Sequence, residues 1–316
     1  MISLKVQNYG APYEYLNEKK AMPASPFDMA RAMITTGKGN MHDVFGLGIF
    51  RIGELICKAL AFCKLDNGKL LLHSRFYNLN QSEKATVSYY FGQALTKLFS
   101  EECFKIPWLL HVDDYKDSIH FNSAGVANSK IQIATTKKNA ARPDLIGIRK
   151  ANVSHIFEAK ANSLGYNKGV MQHAINQVSQ VLSYNGVTPL TRTACYFDLS
   201  GSSINGIIID PENDEGGINL IVSEVAAITQ YYSFFVSNRE YFTNSIKVGG
   251  YEFLTTPLVR PHLFFGFDAR ILQSNVAELL ANGLYTDESN FIEKNVRFNG
   301  ISIGLDGLIL VDELNY

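Results

Sequence analysis

Two short apolar segments joined by a tight turn constrain the fold of this chain more than any other feature. Residues 142–150 read RPDLIGIRK and residues 154–161 read SHIFEAKA, with turn residues at Lys150 to Asn152 between them. Apolar runs of this length that end at turn residues are typical of buried strands. We therefore predict a strand hairpin at the centre of the protein.

Helices and further strands are predicted around this hairpin. Apolar residues recur at helical spacing over residues 169–184, and a second helix is predicted to begin at Ser82, whose side chain we expect to cap it. Residues 108–115 are a predicted strand before the hairpin, and residues 193–200 and 204–210 are predicted strands after it. The order of helix, three strands, helix and strand predicts an α/β fold with a central mixed sheet flanked by helices.

The segments on either side of this core are predicted to be elaborations packed on it. The first forty residues are polar and rich in Pro, Gly and Met, so we predict an irregular arm with one short helix there. A long amphipathic helix is predicted over residues 219–236. We divide the chain into an N-terminal arm and helical region (1–81), a core (82–210) and a C-terminal α+β region (211–316).

Composition and charge exclude several classes of protein. Hydrophobic residues make up 46% of the 316 residues and charged residues 19%, which excludes wholesale disorder, a collagen-like chain and a coiled coil. The formal net charge of −1 argues against a general polycation, so a nucleic-acid site would have to be a local basic groove. Lys137, Lys138 and Arg142 lie in the most basic stretch, which fits either a solvated hairpin or a phosphate contact.

The cysteines and the apolar segments bear on the location of the protein. The four cysteines form no Cys-x-x-Cys pair, so we predict reduced thiols and neither a zinc nor an iron–sulfur site. The first twenty residues contain no apolar signal region. The most membrane-like stretch, residues 218–236, contains Glu224 and several polar residues. We therefore expect a cytoplasmic protein without a membrane span.

Three charged residues interrupt the apolar hairpin. Asp144 opens its first strand, and Glu158 and Lys160 lie two residues apart on the second, so that their side chains share one face of the sheet. Pairing across the hairpin would bring Asp144 alongside Glu158. Charged residues in such strands are unusual unless they are paired or functional. The alternative is an exposed Glu–Lys pair on an edge strand, which would contribute little.

This trio of Asp144, Glu158 and Lys160 has the composition of a phosphodiesterase site. Two carboxylates are hard oxygen ligands suited to Mg²⁺ or Mn²⁺, which lowers the pKa of a bound water and neutralises charge on a phosphate. A lysine nearby can orient the attacking water and stabilise the developing negative charge.

The pattern Pro143-Asp144 followed by Glu158-Ala159-Lys160 resembles the PD-(D/E)XK nuclease superfamily, and the resemblance covers residues 82–210. It implies a restriction-endonuclease-like core with N- and C-terminal elaborations. It also implies metal-dependent hydrolysis of phosphodiester bonds in restriction, phage defence or DNA repair, with DNA favoured over RNA. Asp144 and Glu158 would then be metal ligands, with the main-chain carbonyl of Ala159 as a further ligand, and Lys160 would be catalytic.

Further site residues follow from the same resemblance. Residues 180–184 read QVLSY and resemble the Gln-x-x-x-Tyr motif of the RecB-like branch, which implies that Gln180 and Tyr184 support the site. Gln177 precedes Gln180 by three residues and would share its helix face. The superfamily often adds an acidic residue on the helix before the sheet, and Glu83 is our first candidate. A carboxylate that favours the helix dipole is the alternative for Glu83.

The expected partner is nucleic acid. Lys137, Lys138 and Arg142 would contact the phosphate backbone. A homodimer is possible, since cutting both strands of a duplex commonly calls for two sites. Two alternatives stay open: a non-catalytic module that binds nucleic acid or protein and retains the nuclease fold, and a toxin nuclease with the same chemistry.

Overall fold

The structure is a computed structural model, and it describes residues 1–36, 49–115, 131–136, 140–214, 216–258, 262–285 and 300–315. Within these residues the chain has an α/β architecture. In chain order the α-helices are α1 (Pro26–Thr35), α2 (Ile49–Phe62), α3 (Ser74–Tyr77), α4 (Gln81–Phe104), α5 (Val112–Tyr115), α6 (Lys168–Ser179), α7 (Glu224–Ser237) and α8 (Val276–Asn282). The first nine strands are β1 (Ile2–Gln7), β2 (Ala21–Met22), β3 (Cys63–Asp66), β4 (Lys69–Leu72), β5 (Trp108–His111), β6 (Ile131–Thr135), β7 (Leu145–Lys150), β8 (Val153–Asn162) and β9 (Val181–Tyr184). The later strands are β10 (Thr191–Asp198), β11 (Asn205–Ile209), β12 (Ile218–Val222), β13 (Asn244–Val248), β14 (Tyr251–Pro257), β15 (Leu263–Asp268), β16 (Ile301–Ile303) and β17 (Leu308–Asp312).

A mixed seven-stranded sheet lies at the centre, with the strand order β2-β1-β11-β10-β8-β7-β5. Strands β5, β7 and β8 form an antiparallel meander, and β10 pairs parallel to β8. The predicted α/β class with a mixed central sheet is therefore confirmed. Smaller sheets have the orders β6-β12-β9, β13-β14-β15-β17-β16 and β3-β4.

Two helices cover opposite faces of strand β8. Helix α4 lies on one face, where a Cβ built on Gly92 would be 3.2 Å from the Cβ of Ala161. Helix α6 packs against β8 and β10. It lies on the other face, where the hydroxyl of Tyr196 contacts Gly165 and Asn167 just before the helix begins. Since side chains alternate along a strand, Glu158 and Lys160 point to the α6 face and Ala161 to the α4 face.

The N-terminal segment is not wholly the irregular arm that we predicted. Strand β1 joins the central sheet and pairs parallel to β11, with Ile2, Leu4 and Val6 buried. Apolar and polar residues alternate through ISLKVQ, which is the pattern of a half-buried strand. The irregular arm was predicted from average composition, which hid this short local pattern, and the strand also depends on a partner 202 residues away in the chain, since Ser3 pairs with Asn205.

Two predicted helices are shorter in the structure for one shared reason. Helix α6 ends at Ser179, and Val181–Tyr184 forms strand β9. The helix predicted over 219–236 is strand β12 followed by α7, which begins at Glu224. These two strands pair with each other in parallel, with Ile218 beside Val181. Long-range pairing thus overrides the helical periodicity of both segments.

Helix α4 begins two residues earlier than predicted. Its N-cap is Asn80, not Ser82, and the Asn80 side chain accepts a hydrogen bond from the Glu83 N–H at 2.9 Å. The Glu83 carboxylate accepts in return from the Asn80 N–H at 3.2 Å. This reciprocal arrangement is a capping box, which satisfies two backbone donors at the start of the helix.

A buried network of charges joins the N-terminal, central and C-terminal parts of the chain. Arg31 of α1 lies 2.6 Å from Glu101 of α4, and Lys97 of α4 lies 3.3 Å from Asp306. Asp306 stands in the turn between β16 and β17 and accepts a 2.7 Å hydrogen bond from the Tyr231 hydroxyl of α7. The C-terminal sheet is therefore tied to the core through paired, buried charges.

Among the helices that the structure describes, none is both long enough and apolar enough to cross a lipid bilayer.

Candidate active site

The hairpin of β7 and β8 brings Asp144, Glu158 and Lys160 together. Asp144 directly precedes β7, and its backbone N–H donates a 2.8 Å hydrogen bond to Oε2 of Glu158. The backbone carbonyl of Asp144 accepts from the Val112 N–H at 2.8 Å. Both main-chain groups of Asp144 are thus held, which fixes its carboxylate next to strand β8.

The ammonium group of Lys160 lies against both carboxylates. Its Nζ contacts Oε1 of Glu158 directly and is 3.7 Å from Oδ2 of Asp144. Burial lowers the pKa of Lys160, but the two carboxylates outweigh this effect, and the pKa is raised above its ordinary value. Lys160 therefore stays protonated at neutral pH, and about a quarter of its side chain remains exposed at 26%.

Glu158 is the most deeply placed member of the trio. It is fully buried, at 0% exposure. Burial and the neighbouring charge of Asp144 raise its pKa to about 8, although Lys160 opposes the shift. Active sites are where burial and neighbouring charges are arranged to shift pKa values, so the raised pKa makes Glu158 a candidate functional residue.

We expect the change Glu158→Gln to remove a loss of stability that the wild type suffers at alkaline pH. The pKa of Glu158 is about 8 in the folded protein, against an ordinary value of 4.5. Between these pH values the folded state keeps a proton that the unfolded state has lost, so the free energy of unfolding falls as pH rises through that range. The amide removes this loss, so we expect the effect of the change on stability to be at least about 2 kcal/mol more favourable at pH 9 than at pH 5. Urea unfolding in EDTA at pH 5 and pH 9 measures it. The interpretation fails if the difference between variant and wild type is the same at both pH values.

Two glutamines hold the segment that leads into Asp144. The Gln177 side chain donates a 2.8 Å hydrogen bond to the backbone carbonyl of Arg142, and the Gln180 side chain accepts one of 2.8 Å from the Ala141 N–H. Gln177 lies on α6, whereas Gln180 is its C-cap residue. Both glutamines therefore act on the backbone ahead of the site, and the described contacts make them positioning residues.

The side chain of Tyr184 forms its hydrogen bond away from the trio. It lies on β9, and its hydroxyl donates a 2.8 Å hydrogen bond to Glu224. Glu224 also accepts from the Asn152 N–H, in the turn at the opposite end of the hairpin from Asp144. The contacts of Tyr184 thus support that turn and do not bring it to the trio.

Glu83 is also separated from the trio. Its carboxylate caps α4, and it lies nine residues before Gly92, the residue packed against Ala161. Nine helical residues span roughly 13 Å, and α4 covers the face of β8 opposite to Glu158 and Lys160. The structure therefore gives Glu83 a capping role.

Of the three predicted phosphate contacts, Lys137 and Lys138 lie outside the described residues. Arg142 is described: its guanidinium lies 3.1 Å from the carboxylate of Asp113, and both side chains are largely exposed. An exposed pair of this kind is weak, so it leaves Arg142 available to a phosphate.

The trio fits a divalent cation such as Mg²⁺ in its donor chemistry. Two carboxylates stand side by side, and the Lys160 ammonium already places a positive charge against both. Among the described residues no group of three or more His, Cys, Asp or Glu side chains is arranged to hold a metal. Mg²⁺ needs no such cage, since it is usually bound by one or two carboxylates, several waters and substrate phosphate. Ala159 donates its N–H to Asp144 Oδ2 at 3.4 Å, and its carbonyl remains a predicted ligand.

Tyr196 is a residue near the site that the sequence did not suggest. It is the register partner of Lys160 on the parallel strand β10, and it is buried. Only the pairing of β8 with β10 places it there, so no local pattern could have indicated it.

Comparisons of the chain with protein families, curated proteins and solved structures found no match.

Proposed function

We propose that this protein is a metal-dependent nuclease with a restriction-endonuclease-like core. The observation that carries the proposal is the convergence of Asp144, Glu158 and Lys160, with Glu158 buried and its pKa raised to about 8. The order α4-β5-β7-β8-α6-β10 supports it, because an antiparallel meander followed by a helix and a parallel strand agrees with the core of the superfamily that the motif resembles.

Each residue of the trio has a role that its surroundings favour. Asp144 and Glu158 would hold the cation, which supplies a water of lowered pKa and neutralises charge on the phosphate. Lys160 stays protonated, so it can orient that water and stabilise the negative charge that develops on the phosphate oxygens. Hydrolysis consumes one water and breaks one P–O bond, and a proton from that water passes to the leaving oxygen.

Binding of a cation should release a proton. Burial and the charge of Asp144 raise the pKa of Glu158, and a carboxylate ligand must be ionised. Metal affinity at this site should therefore rise with pH between about 6 and 9. If the trio were only a structural ion pair, it would bind no metal, and no pH-dependent metal affinity would be measured.

The direct test is a cleavage assay with purified protein on supercoiled DNA, linear duplex DNA, single-stranded DNA and RNA, with Mg²⁺, Mn²⁺ or EDTA. We expect cleavage with metal, none with EDTA, and DNA preferred over RNA. The polymer that is cut identifies the substrate. The toxin alternative is tested by expression, which would harm the host, and Lys160→Ala would relieve that harm.

A non-catalytic binding module is the second candidate. The contact of Lys160 with both carboxylates favours it, because the trio is internally paired without a ligand. Unchanged binding of nucleic acid in EDTA, with no cleavage under any metal condition, would support this candidate and contradict the nuclease.

A further inference from the structure

We infer that the loop between β8 and α6 binds unpaired nucleobases beside the trio, so that the preferred substrate is a single-stranded or frayed strand. The inference rests on the proposed nuclease function and concerns the same site. It is carried by Leu164 and Tyr166, two apolar side chains exposed on a loop whose backbone is fixed.

Both side chains are exposed to solvent within one short loop. Leu164 is 76% exposed and Tyr166 is 50% exposed, in a short connection directly after the strand that carries Lys160. The eight residues from 162 to 169, NSLGYNKG, include one lysine and neither aspartate nor glutamate. A polyanion would meet no opposing charge from this segment.

Hydrogen bonds hold the backbone of the loop in place. The Tyr196 hydroxyl donates to the Gly165 carbonyl at 2.7 Å and accepts from the Asn167 N–H at 3.0 Å. The Asn162 side chain accepts from the Leu164 N–H at 2.9 Å. The exposed side chains are therefore presented by an ordered backbone, which lowers the entropic cost of binding a ligand.

The loop lies on the same face as the trio. Tyr196 is the register partner of Lys160, and paired residues of adjacent strands point to the same side of a sheet. The ring of Tyr166 packs edge-on against the ring of Tyr196, with 5.3 Å between centroids. Tyr166 therefore lies against the strand-pair neighbour of Lys160, on the same side of the sheet as the trio.

The chemistry of the two side chains selects bases over other partners. Tyrosine rings stack on bases of any sequence, and an aliphatic side chain packs against the next base or sugar. In a duplex the base faces are already stacked on each other, so a tyrosine reaches them only when the strand is unpaired. A nearby phosphate of the same strand would then lie at the trio.

The test is equilibrium binding of a 12-nucleotide single strand carrying 2-aminopurine, in EDTA so that cleavage does not interfere. The variants are Tyr166→Ala and Leu164→Ser, with Tyr166→Phe as the conservative change. Tyr241→Ala is the matched control, since Tyr241 is 61% exposed in the C-terminal region. A blunt duplex of the same sequence is the second ligand.

We expect Tyr166→Ala to raise the Kd for the single strand roughly 5- to 150-fold, with loss of the 2-aminopurine response. Leu164→Ser should raise it by a smaller factor, whereas Tyr166→Phe and Tyr241→Ala should bind like the wild type. Failure of the wild type to bind the single strand, single-strand binding unaffected by Tyr166→Ala, or an equal loss on the duplex overturns the inference.

Cleavage assays separate this inference from the nuclease proposal. A wild type that cuts with Mg²⁺, and a Tyr166→Ala variant that binds and cuts single strands equally well, would reject the loop and retain the nuclease. A wild type that binds through Tyr166 but never cuts would reject the nuclease and retain the loop as a binding element.

Discussion

Replacing Lys160 with Met should abolish most cleavage while leaving metal binding intact or stronger. The ammonium lies against both carboxylates, so its removal takes away a charge that stabilises the transition state, and we expect a loss of about 10³-fold in kcat. The same removal frees the space between Asp144 and Glu158 for a cation. We therefore expect the Mn²⁺ affinity of the variant to rise several-fold.

Two measurements on one preparation check this pair of effects: initial rates of cleavage, and Mn²⁺ binding followed by electron paramagnetic resonance. Lys64→Met is the matched control, because Lys64 is exposed on β3, outside the seven-stranded sheet. It should cleave and bind like the wild type. A Lys160→Met variant that cleaves at the rate of the wild type, or that loses Mn²⁺ affinity together with activity, contradicts the role assigned to the lysine.

Removing the charge of Arg31 should cause the largest loss of stability. Arg31 is 2% exposed and donates to both carboxylate oxygens of Glu101, at 3.1 and 2.6 Å, and to Ser302 at 2.9 Å. Arg31→Met keeps most of the volume but leaves Glu101 and Ser302 buried with fewer partners. Breaking a buried ion pair from one side costs about 3–5 kcal/mol, and we expect that loss in urea unfolding.

A surface pair provides the control for this stability prediction. Lys19 lies 3.2 Å from Glu102, with both side chains partly exposed at 25% and 17%, and Lys19→Ala should cost less than about 1 kcal/mol. The double change Arg31→Met with Glu101→Met should recover part of the loss, since both members of the pair are then absent. Equal small losses from Arg31→Met and Lys19→Ala would mean that the buried network contributes no more than a surface pair.

Local patterns predicted the parts of the fold that depend on neighbouring residues. The hairpin of β7 and β8 follows from two apolar runs around a turn, and its pairing places Asp144 beside Glu158. The start of α6 and the strands β10 and β11 follow from similar local signals. These elements contain the trio, which is why the candidate site was visible in the sequence.

Long-range pairing decided the elements that the sequence did not predict. Strands β9 and β12 have apolar periodicity that also suits helices, and their pairing with each other and with β6 selects the extended form. Tyr184 therefore lies on a strand and not on the predicted helix, and its hydroxyl donates a hydrogen bond to Glu224 and not to the trio. Tyr196 and the charge network around Asp306 likewise depend on contacts between distant segments.

The central claim, that the trio hydrolyses phosphodiester bonds with a bound metal, is tested most directly by one comparison. The rates at which supercoiled DNA and single-stranded circular DNA are cut with Mn²⁺ are measured for the wild type, for Asp144→Asn and for Asp66→Asn, an exposed aspartate on β3. We predict cleavage by the wild type and Asp66→Asn that EDTA stops, and a loss of at least about 10²-fold for Asp144→Asn. Equal cleavage by all three proteins, or cleavage by none, would contradict the claim.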